Sequence, residues 1–196
     1  MDYRLYHWIN GIDRHHTWLP HVFNVIESVG VVVIAVAAFG LWLLARPGGS
    51  PRWKLAAASA LASASLGLLV NRLIGHFWHR PRPFEAHHGV YTLSHSHDPS
   101  FPSDHASAAF GIAFAVLLFD GLAGSLLLVL AVLIGVGRVI IGGHYPGDVL
   151  AGAGVGLIAA VFVVRIARAV IAFLVRIVER VTDPIAAPAW RVFARR

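Results

Sequence analysis

Long apolar runs, broken by short polar segments, set the pattern of this chain. Five runs lie at about 22 to 45, 54 to 74, 104 to 119, 122 to 141 and 149 to 171. A helix needs roughly 20 mostly apolar residues to cross the hydrocarbon core of a bilayer, and these runs are apolar all round rather than striped at helical spacing. The pattern predicts an all-α integral membrane protein, a helical bundle of about five transmembrane helices. The run from 104 is the shortest in its purely apolar part. Residues 1 to 21, beginning "MDYRLYHWINGIDRHHTWLP", mix Trp, Tyr, His and Arg with apolar positions, which predicts an N-terminal interfacial helix. The expected organisation is a single membrane-embedded domain over 1–196, with an interfacial segment 1–21, a transmembrane core 22–171 and a basic tail 172–196.

Composition sharpens this picture. Of 196 residues 57% are hydrophobic and only 13% are Asp, Glu, Lys or Arg, and the mean hydropathy is +0.69, outside the usual range of soluble domains. The net charge of +6 does not point to nucleic acid, because the basic residues sit between apolar runs and not on one water-facing element. Their distribution reads as topology instead. The loop "RPGGSPRWK" carries Arg46, Arg52 and Lys54, and the tail carries Arg165, Arg168, Arg176, Arg180, Arg191, Arg195 and Arg196. By the positive-inside rule both are cytoplasmic, in a multi-pass protein of the cell inner (plasma) membrane. Five crossings then place the N-terminus, the 75–103 loop and the 142–148 turn at the periplasm or cell exterior. All 12 histidines fall on that side, with Arg4, Arg14, Arg72, Arg80, Arg82 and Arg138. The first run follows a mixed polar segment and not a short basic leader, so it reads as a retained span. Without cysteine there is no disulfide or thiolate metal site.

Three polar clusters gather on the expected outer side. In "HRPRPF" two Arg-Pro steps hold Arg80 and Arg82 on a stiffened, extended backbone; such forks suit phosphate oxygens, and they also suit plain interfacial anchoring. In "DPSFPSDHAS" Ser103 is a favoured N-cap for a helix entering the membrane. The free N–H groups of that helix end attract an anion, Asp104 partly counters it, and His105 can serve as a proton donor. The plain alternative is a capped helix and nothing more. In "GRVIIGGHYPGD" Arg138 ends one run, His144 sits on the turn, and Asp148 lies four residues on, within reach of the His144 ring N–H. That bond would leave the other ring nitrogen free to attack. Ionisable groups this close to a bilayer default to function. Together the clusters hold the parts for phosphoryl transfer without a metal or other cofactor: His144 as nucleophile, His105 as acid, and Arg80, Arg82 and Arg138 around the phosphoryl oxygens.

These residues resemble the type-2 phosphatidic acid phosphatase superfamily of integral membrane lipid phosphatases, whose pattern runs Lys-x6-Arg-Pro, Pro-Ser-Gly-His, Ser-Arg-x5-His-x3-Asp. The second part stands here as Pro102-Ser103-Asp104-His105, and the third as Gly137-Arg138, then His144 and Asp148 at full spacing. Three positions depart from the pattern. The lysine position is Gly75 counted from Arg82, or Leu73 counted from Arg80; Gly137 replaces the serine; and Asp104 replaces the glycine. The resemblance covers about residues 70 to 160. It implies His144 as nucleophile, Asp148 as its orienter, His105 as general acid, and Arg82, Ser103 and Arg138 as phosphate ligands, with Arg80 added to that set. Asp104 would lie beside the phosphate, either orienting a basic residue or selecting against substrates with one phosphate. "RPRPF" followed by "DPSFPSDHA" looks like the branch acting on undecaprenyl diphosphate, the carrier lipid of bacterial cell-wall synthesis. The implied partners are that polyprenyl diphosphate and membrane lipids, with no nucleic acid and with a homo-oligomer left open.

Two other readings remain at this stage. The same chemistry on phosphatidylglycerol phosphate or phosphatidic acid differs only in lipid choice. Metal handling is suggested by His87, His88, His95 and His97, since imidazoles bind zinc and copper.

Overall fold

A computed structural model describes residues 2–11, 18–45, 50–93 and 96–193. Its elements are all helical: α1 (Asp2–Asn10), α2 (Trp18–Leu44), α3 (Arg52–Phe77), α4 (Pro83–Ala86), α5 (Asp104–Leu117), α6 (Gly121–Ile140), α7 (Pro146–Val161), a π-turn (Phe162–Ile166) and α8 (Arg168–Phe193). Four helical stretches, Trp18–Leu44, Arg52–Phe77, Gly121–Ile140 and Pro146–Ile166, are long and apolar enough to cross a membrane. The fifth run forms α5, which at 14 residues is about 21 Å long, short of the roughly 30 Å hydrocarbon core.

Helix α5 is nonetheless the centre of the bundle, packed against α2, α3, α6 and α7. Its sequence explains the position. Ala106, Ala108, Ala109, Ala113 and Ala115 are all buried, and small side chains let neighbouring backbones approach closely. Helix α7 approaches closely along its middle: a Cβ on Gly156 would stand 2.7 Å from the Gly111 nitrogen and 2.8 Å from the Ser107 carbonyl oxygen. Around this core the perimeter is apolar, with Val25, Val32 and Val36 of α2 and Leu122, Leu126 and Val129 of α6 each at least 60% exposed. This inverts the soluble pattern and matches a lipid-facing surface. Because α5 is shorter than its neighbours, it leaves a recess at its N-terminal end, where the polar clusters meet.

The two ends of the chain dock on opposite ends of the bundle. The interfacial expectation for 1–21 meets a helix over Asp2–Asn10, residues 12–17 lie outside those described, and α2 already begins at Trp18. Asn10 of α1 donates to the carbonyl oxygens of Tyr91 (3.1 Å) and Ile140 (3.0 Å), so α1 rests over the end of α6. The described residues of the tail, up to Phe193, belong to helix α8. Ile171 and Val175 of α8 pack with Trp42, Leu55 and Ala58, and buried Lys54 pairs with Glu179 (3.1 Å) and Asp183 (2.5 Å). Val170, Leu174, Ile177, Val181 and Ile185 remain exposed on one side of α8, while Arg168, Arg176 and Arg180 run along another, the pattern of an interfacial helix.

The α5–α7 contact is the packing constraint most open to test. Replacing Gly156 by Ala forces backbone apart and is expected to cost about 1–3 kcal/mol, read as a lowered midpoint of thermal unfolding in detergent. The control is Gly154→Ala, where the added Cβ meets open space, and it should leave the midpoint unchanged.

Candidate active site

Local chain geometry first brings Arg138 and His144 together. Helix α6 ends in a turn through Gly142 at φ +80°, a left-handed conformation that favours glycine. A Cβ there would also collide with the Tyr91 carbonyl oxygen at 2.2 Å. The turn folds back so that the Arg138 carbonyl accepts from the backbone N–H groups of Gly143 (3.0 Å) and His144 (3.1 Å). Helix α7 then starts with Pro146 at its first position, and Asp148 accepts from the Tyr145 N–H at 2.9 Å, as a capping-box carboxylate does.

Asp148 is fully buried and ties three further residues to that turn. Its carboxylate accepts from the Ser100 hydroxyl (2.6 Å) and from Arg80 (2.6 Å), and its carbonyl accepts from the Ser103 N–H (3.0 Å). Arg80 in turn reaches Asp2 of α1 at 2.8 Å and lies over the Tyr145 ring, 4.1 Å from its centre. The expected His144–Asp148 contact is present but long, 3.7 Å from Nδ1. The nearer partner of Nδ1 is the Ser100 carbonyl oxygen at 2.7 Å. A carbonyl can only accept, so Nδ1 carries the proton and Nε2 holds the free lone pair.

That lone pair borders a cleft of about 470 Å³ at the N-terminal end of α5, lined by Glu27, Arg82, Asp104, His105, Arg138 and His144 among others. Arg82 is held by the carbonyls of Asp98 (2.9 Å) and Gly143 (3.1 Å), with its NH1 3.4 Å from His144 Nε2. Arg138 NH1 donates to Glu27 at 2.5 Å, whereas its buried Nε has no partner among the described residues. The charge of Arg138 adds to burial in holding the Arg82 guanidinium below the usual arginine range. Two buried guanidinium groups bordering one cleft make a site for an anion. Burial, reinforced by Arg138 and Arg82 and opposed by Asp148, lowers His144 to about 4. It is therefore neutral and nucleophilic at pH 7. His105 faces Glu27 at 3.5 Å, and Asp104 accepts from Asn71 at 2.7 Å.

Six of the eight residues singled out in the sequence, His144, His105, Asp148, Arg82, Arg138 and Asp104, therefore surround or directly support the cleft. The other two stand elsewhere. Arg80 does not line the cleft: its terminal nitrogens are taken by buried Asp148 and half-buried Asp2, the carboxylates that α7 and α1 bring to it. Ser103 is buried, and its hydroxyl caps α5 by accepting from the Ala106 N–H at 3.5 Å. At the place of the missing lysine, Arg72 and Gly75 border a neighbouring polar cleft of about 310 Å³ that shares Asp98, Pro99, Pro102 and Asp104 with the first. In the histidine-rich loop, His87 stacks on Tyr3 with ring centres 3.8 Å apart, and His97 lies 3.4 Å from Glu85. His95 lies outside the described residues. Sequence reasoning missed Ser100, whose hydroxyl binds Asp148 and whose carbonyl binds His144; a single serine in a loop carries no sequence signal of either role. It passed over Glu27, although a carboxylate inside a span is itself such a signal.

Comparison with known proteins bears on this geometry. The family model described as the PAP2 superfamily matches residues 53–172. The chain is 30% identical over 186 residues to undecaprenyl-diphosphatase BcrC of Bacillus subtilis, covering 93% of this chain and 94% of that protein. It is 35% identical over 159 residues to the putative undecaprenyl-diphosphatase YbjG of Escherichia coli, covering 81% and 78%. The crystal structure of Aquifex aeolicus LpxE superposes with a TM-score of 0.69 at 26% identity, over 84% of this chain and 94% of that one.

The low proton affinity of His144 has a measurable consequence. Held at about 4, His144 loses its lone pair only as pH falls through that value, so kcat/KM, which reports the free enzyme, should show no acid limb between pH 7 and about 5 and should fall near 4. An acid limb at the ordinary histidine value, about 6.5, would assign the nucleophile to another group.

Proposed function

The chain belongs to the PAP2 superfamily, and from that premise we propose that it dephosphorylates undecaprenyl diphosphate to undecaprenyl phosphate. The observation that carries the mechanism is His144, with Nδ1 fixed on the Ser100 carbonyl and Nε2 open to a cleft bordered by Arg82 and Arg138. Two relatives named for that substrate, matched over most of the chain, support the choice of lipid.

In the first step Nε2 of His144 attacks the terminal phosphorus. A P–N bond forms, the P–O bond to the bridging oxygen breaks, and His105 gives that oxygen a proton. Undecaprenyl phosphate leaves. Arg82 and Arg138 neutralise the phosphoryl oxygens as charge develops. In the second step water attacks the phosphohistidine, His105 takes the water proton, and inorganic phosphate departs. Asp148 supports the nucleophile through Ser100 and the Tyr145 N–H, and Arg80 steadies Asp148 from behind. The α5 N-terminus, capped by Ser103, adds its positive dipole end to the site.

The orientation belongs to the same proposal: the cleft faces the periplasm or cell exterior, and α8 lies on the cytoplasmic side as the basic tail of a single domain. The support is charge. Arg52, Lys54, Arg165, Arg168, Arg176 and Arg180 cluster at the end of the bundle opposite the cleft.

The test is phosphate release by purified protein in detergent with EDTA, from undecaprenyl diphosphate beside phosphatidic acid and phosphatidylglycerol phosphate. Release should be fastest from the polyprenyl diphosphate and persist in EDTA. His144→Ala should lower kcat on the order of 10³-fold or more, with substrate binding retained. Preference for a glycerolipid would overturn the substrate; loss in EDTA or turnover by the variant would overturn the mechanism.

A further inference from the structure

Glu27 stands apart from every motif in the chain. It lies on α2, outside the family match at 53–172, in a helix long and apolar enough to cross the membrane. Yet its side chain is buried and lines the cleft. A carboxylate there is costly unless it is paired. Its Oε2 faces two residues of the proposed reaction, Arg138 (NH1–Oε2, 2.5 Å) and His105 (Nε2–Oε2, 3.5 Å), and its Oε1 accepts from the Ser28 hydroxyl at 3.3 Å.

The approach of α2 to this point depends on a second departure from the family pattern. Gly137 stands where the pattern has serine, and a Cβ there would lie 3.2 Å from the Phe23 ring, 3.4 Å from the Phe23 carbonyl oxygen and 3.6 Å from Glu27 Cβ. The bare glycine surface of α6 therefore lets α2 seat Glu27 beside Arg138. The missing hydroxyl and the carboxylate meet at one contact.

We infer that Glu27 is a positioning residue: its carboxylate aims the Arg138 guanidinium into the cleft and opposes loss of the His105 proton that the leaving oxygen takes. With NH1 bound to Glu27, the guanidinium plane is fixed, and the partnerless Nε is among the donors left for a phosphoryl oxygen. His105 is faced by Glu27 from α2, Arg138 from α6, Arg82 from the segment before α4, and Asp104 from its own helix. His144 lines the same cleft and is neutral in the range where His105 acts. Burial first, and then the charges of Arg138 and Arg82, hold the His105 imidazole below the usual histidine range, and Glu27 and Asp104 oppose this. Of the two carboxylates, Glu27 stands 3.5 Å from the imidazole nitrogen. Removing its charge leaves His105 between two guanidinium groups.

This inference rests on the phosphatase reading, and the experiment separates the two. Full-length protein in detergent is assayed for kcat and KM from pH 5 to 10, on undecaprenyl diphosphate and on phosphatidic acid, as wild type, Glu27→Gln and Glu27→Asp. Glutamine keeps the shape and an acceptor for Arg138 but removes the charge. We expect kcat to fall about tenfold or more with KM changed less than about threefold. The alkaline limb of kcat should move to lower pH by about one unit or more. Aspartate should restore the limb to its wild-type position, even where its shorter reach lowers kcat, and it carries the test alone if the glutamine variant does not fold. A wild-type profile in Glu27→Gln, a loss equal at every pH, or a limb that aspartate does not restore would overturn the inference. Absence of turnover by the wild type on both lipids would instead overturn the phosphatase reading, and this inference with it.

Discussion

The buried carboxylate of Asp148 is the interaction on which the site depends. Its bonds from the Ser100 hydroxyl, the Tyr145 N–H and Arg80 fasten the segment before α5, the start of α7 and the exit of α3 to one group. A fully buried carboxylate would be prohibitive without such partners. Satisfied, it becomes rigid, and that rigidity reaches His144 through Ser100. The same residue whose hydroxyl binds Asp148 presents its carbonyl to Nδ1, so carboxylate and tautomer are coupled without a short direct bond. The N-terminus joins this network as well, because Asp2 accepts from both Arg80 and the Gly147 N–H.

The membrane-spanning fold supplies the complementary condition. A bundle with an apolar perimeter has to keep its polar groups inside or at its ends, and the short, alanine-rich α5 creates room for them at one end. Its close packing by Gly156 of α7 fixes the distance between the two helix starts that bear His105 and Asp148. Burial then tunes the chemistry: the desolvation that lowers His144 to about 4 keeps this proposed nucleophile unprotonated beside two guanidinium groups. One environment thus favours a neutral imidazole at His144, while the carboxylate of Glu27 supplies the opposite bias at His105.

Much of this was legible in the chain because its signals are local. Long apolar runs specify spans whatever their partners, and the spacing of Arg138, His144 and Asp148 encodes a helix end, a turn and a capping carboxylate within eleven consecutive residues. What escaped the sequence depends on elements remote from one another. Arg80 resembles a phosphate fork until α1 and α7 bring two carboxylates to it. Ser103 resembles a ligand but serves its own helix. Ser100 joins Asp148 to His144 through a hydroxyl and a main-chain oxygen whose partners lie 48 and 44 residues away, and Glu27 gains its meaning only when α2 closes on Gly137. The tail likewise announced its charge, whereas its docking through Lys54, Glu179 and Asp183 required the third dimension.

The measurement that tests the central claim most directly is capture of the covalent intermediate. Protein mixed with undecaprenyl diphosphate radiolabelled in its terminal phosphate is quenched in alkali, where phosphohistidine persists, and the labelled peptide is mapped. The account requires label on His144 that forms at the rate of turnover and decays on a chase with unlabelled substrate. Label on any other residue, or turnover with no labelled protein at times shorter than one catalytic cycle, would contradict it.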